Sequence, residues 1–319
     1  MKSIFTRCLL AAFLIESALS AQNMERREGF IPLLWDAAQG KLFFELTQFD
    51  KDILYFTEVS KGSGSGTVGF EWAGGGESGV IQFQRVGPKV LVVLKNTRFR
   101  AGSGGPGLEQ GVEESFPDSV IASLPVVKTD GEKVVVDASP LVVRDAVGFG
   151  SGGGGRGGRG GGPGPVSELT AGVTWQFDPA RSAVYLPRTK AFPKNSEVEV
   201  TVTYQALAGG ARTTPEARVL SGRLHYSFVE PPTGYTPRRA DIRVGVDSIR
   251  FADYSRPPAM GNQVEWIRRH RLEKKNSGAT LSEPKQPIVY YLDPAIPEPT
   301  RSAMKDGFLW WNKAFEAAG

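Results

Sequence analysis

His225 and His270 are the two histidines in 319 residues, and Cys8 is the one cysteine, so little in this chain could ligate a soft metal or shuttle a proton near neutral pH. His225 stands beside Tyr226 in a strand-like run, where a packed or surface histidine is the expected role. His270 and Glu273 form H-x-x-E, but an inverted zinc motif would need a second histidine where Lys274 stands. The cations around it, Arg268, Arg269, Arg271 and Lys274, also oppose a bound metal ion.

Other chemical signatures are missing. Without H-E-x-x-H there are no two imidazoles one helical turn apart to seat zinc, and no glutamate to activate its water. Without G-x-S-x-G there is no nucleophile elbow. No glycine tract leads into Lys-Ser or Lys-Thr at phosphate-loop spacing. The sequence therefore assigns no catalytic, cofactor-binding or metal-binding residue. Arg156 and Arg159, set among glycines, are too few and too poor in aromatic neighbours to mark an RNA-binding segment, and no nucleic-acid partner is expected.

The first 22 residues, MKSIFTRCLLAAFLIESALSAQ, place Lys2 and Arg7 before an apolar run from Cys8 to Ile15, with Ala18-Leu19-Ser20 as a small-x-small cleavage site. A leader over 1–20 and a connector over 21–27 are expected, hence export to the periplasm or outside the cell with no membrane anchor. Removing the leader removes Cys8, so no disulfide framework and no cysteine nucleophile is expected. The net charge of +4 is a mild excess that reads as solubility.

Most of the chain has the pattern of antiparallel sheet, and the expected fold is a mainly β, sandwich-like body. In a first β region, 28–100, strands are predicted over 30–35, 41–46, 53–59, 68–72, 79–85 and 89–96, separated by turns such as Gly87-Pro88. In a second, 101–286, residues 101–111 are rich in Gly, Ser and Pro, and 116–124 suit a helical turn or a bent strand. Asp130-Gly131 predicts a hairpin between 126–128 and 133–137. The tract 149–165 is low in complexity and is expected to be a disordered insert. Strands resume over 173–178, 183–187, 197–206, 218–228, 242–246, 249–252 and 264–272, although the arginine-rich stretch of the last also suits a helix. Val198, Val200, Val202 and Tyr204 alternate with Glu199, Thr201 and Thr203, which gives that strand one buried and one wet face.

The last stretch, 287–319, predicts a buried strand over Ile288 to Leu292 and then a helix from Thr300 with Met304, Gly307 or Phe308, Trp311, Ala314 or Phe315, and Ala318 on one face. Pro299 suits its first turn and Gly319 its stop. One strand and one helix cannot shelter Trp310, Trp311 and Phe315 between themselves. Either the helix docks on the body upstream or further chain covers it.

Arg238 to Gly245, Arg268 to Lys275, Leu281 to Pro284, Pro287 to Pro294 and Leu309 to Phe315 together resemble large exported bacterial zinc-dependent metallopeptidases of metzincin-like type. The resemblance implies that 287–319 opens an α+β peptidase domain and that further chain, carrying H-E-x-x-H-x-x-G-x-x-H, covers the helix. It implies zinc in the full-length enzyme but none held by these residues. Its implied partners are that peptidase domain and a protein or peptide substrate. The rival expectation is an exported β module that binds a ligand or partner without catalysis, using an aromatic cluster drawn from Trp72, Trp175 and Tyr185.

Overall fold

A computed structural model describes residues 24–64, 68–150 and 173–319. The leader expected over 1–20 and nearly all of the glycine-rich insert lie outside the described residues. The chain divides into two compact units. The first runs to Pro232 and takes in Asp253–Met260, and the second comprises Thr233–Ala252 and Gly261–Gly319.

The first unit opens with strands β1 (Glu25–Arg27), β2 (Leu33–Asp36), β3 (Lys41–Leu46) and β4 (Ile53–Lys61). Then come β5 (Gly75–Val86), β6 (Lys89–Leu94) and β7 (Phe99–Arg100), followed by helix α1 (Pro106–Ser115). Strands β8 (Ser119–Asp130) and β9 (Lys133–Asp137) lead into a short helix α2 (Ser139–Val142). The unit continues through β10 (Thr174–Phe177), β11 (Ala183–Val184), β12 (Lys190–Phe192), β13 (Asn195–Ala208) and β14 (Val219–Val229).

Thirteen of the described strands form one antiparallel sheet in the order β1-β2-β3-β9-β8-β6-β5-β4-β14-β13-β10, with β11 and β12 also on β13. Strands from both sides of residue 100 are interleaved in it. The sheet is strongly curled. Five strands separate β3 from β14, about 29 Å in a flat sheet at roughly 4.8 Å per step, yet the rings of Phe44 and Phe228 meet edge to face at 5.3 Å. The two ends of the sheet also join, because the Phe30 amide donates to the Phe192 carbonyl at 2.8 Å, and the Ser196 hydroxyl bonds both the amide and the carbonyl of Ile31.

The inside of this roll is one apolar cluster that includes Leu33, Phe44, Ile81, Val92, Val200 and Leu224. Alternation puts them there: on β14, Leu220, Leu224, Tyr226 and Phe228 are buried while Ser221, Arg223, His225 and Ser227 face the other way. Close approach fixes one backbone position, since a Cβ on Gly222 would stand 2.2 Å from a ring carbon of Phe70.

A polar bolt crosses the inner layer. Arg144, just past α2, grips both carboxylate oxygens of Glu77 at 2.8 and 2.5 Å and reaches the Tyr55 hydroxyl at 3.2 Å. Asp145 accepts from the Tyr204 hydroxyl at 2.8 Å and from the amides of Phe149 and Gly150. Burial pushes the Tyr55 and Tyr204 phenols well above their ordinary value, so both stay protonated, Tyr204 donating to Asp145 and Tyr55 accepting from Arg144.

The second unit holds β15 (Ser248–Asp253) up to Ala252 and β16 (Gln263–Ile267), which pair antiparallel, and helix α3 (Thr300–Ala317). Phe251 and Trp266 meet edge to face at 4.6 Å, and Tyr235 lies beneath the guanidinium groups of Arg269 and Arg271. Much of the rest is irregular chain tied by backbone bonds such as Lys275 to Glu283 and Lys285 to Glu273.

Several expectations need correction. Ile288 to Leu292 is not a strand: it pairs with no neighbour, and Val289, Tyr290 and Tyr291 are exposed. β-Propensity without a partner edge does not make sheet. Residues 68–72 form turns that lead into β5, and 242–246 form a turn in which the Val244 amide bonds the Asp241 carbonyl. Within the glycine-rich 101–111 stretch begins α1, with Pro106 in its first turn and Val112 buried. The final helix forms as expected, but Pro299 precedes it as the cap, and Gly319 beyond it holds φ +84°. Among the described residues no helix is long and apolar enough to cross a membrane.

Candidate functional site: a polar cleft on the outer face of the sheet

Three neighbouring strands place their polar faces side by side. In the pairing register, Glu199 of β13 stands opposite His225 of β14, and His225 opposite Glu58 of β4. One step along, Glu197 stands opposite Ser227. Side chains two residues apart share a face, so Glu197 with Glu199, and Arg223 with His225 and Ser227, converge on the outside of the roll.

A cleft of about 400 Å³ opens over this row. Its floor is Glu58, Ser60, Glu197, Glu199 and His225, and its walls are Trp72, Arg188, Lys190 and Phe192. The wall on the β13 side is firmly built. The Tyr185 amide donates to the Glu199 carbonyl at 2.6 Å, the Thr189 hydroxyl accepts from the Glu199 amide at 3.2 Å, and Arg27 caps the Thr189 carbonyl. Trp72 sits in the tight turn before β5. Ala73 there bonds back to the Val59 carbonyl at 2.9 Å with φ +60°. That region is costly for any residue with a Cβ.

The electrostatics centre on Glu197. Its Oε2 lies 2.8 Å from His225 Nε2 and accepts from the Ser227 hydroxyl at 2.5 Å, while its Oε1 accepts from Asn195 at 2.5 Å. Burial alone would raise the Glu197 carboxyl, but these three hydrogen bonds outweigh it and hold it below its ordinary value. The same bond raises the imidazole of His225 against the opposing effect of burial, with Glu58 and Glu199 adding their charge. His225 Nδ1 is 3.9 Å from Glu199, which is also 3.5 Å from Arg223, whose guanidinium lies 3.5 Å above the Tyr185 ring.

This is not a nucleophilic triad. Such a triad needs the imidazole between hydroxyl and carboxylate, so that it can take the hydroxyl proton. Here the carboxylate lies between Ser227 and His225 and accepts from the hydroxyl. Nor does the cluster suit zinc. Nε2 of His225 is occupied by Glu197, Arg188 and Arg223 crowd Glu199, and no group of three metal-ligating side chains is found among the described residues. What the site can do is offer charged and neutral hydrogen-bonding groups beside an exposed indole.

His225 is thus brought into a cleft instead of standing alone. Its signal was present in the alternation of Arg223, His225 and Ser227 with apolar residues, but which carboxylates would face it depends on strand register. His270 joins no such cluster, and Glu273 pairs with Lys285 at 3.1 Å. The aromatic trio of the rival expectation is split up. Trp175 packs inside against Phe149, Tyr185 lies under Arg223, and Trp72 remains at the cleft, 68% exposed.

No curated protein and no solved structure matches the chain. Residues 74–275, well over half of its length, match the family described as Domain of unknown function (DUF5117). The match begins beside β5 and ends beyond β16, although β3 and β4 outside it pair directly with matched strands. The chain belongs to the DUF5117 family.

Proposed function

We propose that the chain is the non-catalytic N-terminal part of an exported zinc metallopeptidase, and that α3 is a docking element for the peptidase domain. The observation that carries this is the state of α3. None of its residues is buried, and Trp310 and Trp311 are 72% and 65% exposed, with Phe308, Leu309 and Phe315 exposed beside them. An apolar helical surface of this kind marks an interaction site. Tyr290 stacks on Phe308 at 4.7 Å, which orders the preceding segment against one side of the helix while Tyr291 stays 93% exposed. The resemblance to metzincin-like peptidases names the partner that would cover this surface. The leader-like start supports export.

The test is the coding sequence past the Gly319 codon. An open frame running into H-E-x-x-H supports the reading, and a stop codon at that point overturns it. On the 319-residue chain itself, stoichiometric zinc together with casein cleavage would also overturn it.

A second reading, an exported β-rich module that binds a ligand without catalysis, is favoured by the cleft under Trp72.

A further inference from the structure

We propose that the cleft between Trp72 and the Glu58–His225–Glu199 row binds a neutral carbohydrate, with a sugar ring on the Trp72 indole and its hydroxyls on Glu58, Ser60 and Lys190. This rests on the second, ligand-binding reading and is independent of the peptidase one.

Three observations point there. The first is unspent hydrogen-bonding capacity at the floor. The Ser60 hydroxyl is sheltered from solvent and has no partner, which is costly for a buried polar atom. The side chains of Glu58 and Lys190 form no hydrogen bond or ion pair among the described residues, in contrast to that of Glu197, which is fully engaged. A hydroxyl both donates and accepts, so a ligand rich in hydroxyls can satisfy a carboxylate, a serine and an ammonium at once.

The second is charge. Glu58, Glu197 and Glu199 face Arg188 and Lys190, with Arg223 3.5 Å from Glu199, three acids against three bases without counting His225. A site for a cationic peptide side chain would be net negative, and one for a phosphate or nucleic acid net positive. A balanced cleft favours a neutral polar ligand.

The third is the exposed aromatic wall. Trp72 stands 68% exposed and Phe192 43% exposed on a rigid frame of backbone bonds. An indole face is electron-rich and draws the slightly positive C–H face of a sugar ring, while the ring's hydroxyl edge points to polar groups. A ligand with one apolar face and one hydroxylated edge matches this lining.

The experiment is isothermal titration of the full chain with cellohexaose, xylohexaose, mannohexaose, maltohexaose, laminarihexaose and chitohexaose, and separately with a lysine-rich and an arginine-rich peptide. The expected result is binding of at least one hexasaccharide. Trp72→Ala should weaken it by about tenfold or more, and Glu58→Gln by about fivefold. Both side chains lie outside the core, so the circular dichroism spectrum and thermal midpoint of each variant should match the parent. Binding of a peptide but no sugar, lost with Trp72→Ala, would overturn the carbohydrate assignment and leave the ligand-binding reading. Binding of neither, or sugar binding that survives both substitutions, would overturn the site altogether.

Discussion

The two units treat the same kinds of side chain in opposite ways. In the first, aromatic residues such as Phe44, Tyr55, Tyr204, Tyr226 and Phe228 are almost completely removed from water inside the curled sheet. In the second, Phe251, Ala252 and Val264 are the buried apolar residues, while Ile242, Tyr290, Tyr291, Trp310 and Trp311 lie open. A sheet that closes on itself supplies neighbours for every inward side chain, whereas the few short strands, irregular chain and one helix of the second unit do not. Hydrophobic content alone therefore says little about burial; the number of partner surfaces decides it.

The contrast is sharpest where the core is cut. Phe228→Ala should lower the unfolding free energy of the first unit by about 4 kcal/mol, read by urea denaturation, because a large ring leaves a cavity that the sheet cannot close. Next in size is the polar bolt. Arg144→Met strands Glu77 among part-buried groups and should cost about 3 kcal/mol, while a loss under about 0.5 kcal/mol would show that the bolt only decorates the fold.

The outer face is expected to respond to pH, not to cavity formation. Glu197, held below its ordinary value of 4.5, adds stability that is present above that value and fades as pH falls through its folded pKa. His225, raised above its ordinary value of 6.5, adds stability that is present below that value and fades as pH rises through its folded pKa. Facing His225 are Glu197 and Glu199 of β13 and Glu58 of β4, with Arg223 next but one on its own strand. The pair is thus strongest between pH 4.5 and 6.5. Thermal melts of His225→Gln should fall below the parent most in that window, by the equivalent of about 1 kcal/mol. A gap that does not vary with pH would remove the ion pair from the account.

Smaller still is Ala73→Gly. It relieves a positive φ and should stabilise the first unit by roughly 0.5 kcal/mol, net of the extra freedom of the unfolded chain. At the far end of the scale, replacing Trp310 and Trp311 together by serine should move the urea midpoint by less than about 0.5 kcal/mol. Dye binding to exposed apolar surface should drop. A large loss of stability would mean that the helix is covered after all.

Much of the first unit could be read before any coordinates. The Asp130-Gly131 hairpin forms with Gly131 at φ +59°, because such a turn needs a residue that tolerates that conformation. The predicted alternation puts Val198, Val200, Val202 and Tyr204 of β13 inside, but the face expected to be wet is not: Glu199 and Thr203 are buried as well, because Arg223 and the segment carrying Arg181 and Arg188 cover them. Strand 41–46 is β3 to the residue. The errors share a cause. Residues 68–72, 242–246 and 288–292 carry strand-like residues but no neighbouring edge to pair with, and α1 was hidden by flanking glycines although its Leu108, Glu109, Gln110 and Val112 favour helix.

By itself the sequence determined the mainly β class of the fold, the Asp130-Gly131 hairpin and which residues of β13 point inward, because alternation and turn chemistry are local. It also determined that α3 would form with an aromatic surface. Only the tertiary structure decided that the sheet's ends meet, that Glu58, Glu199 and His225 stand in one row, and that Trp72 overlooks them while Trp175 does not. Those outcomes depend on register and strand order. Both are settled by how distant segments fill one core, which no local pattern specifies.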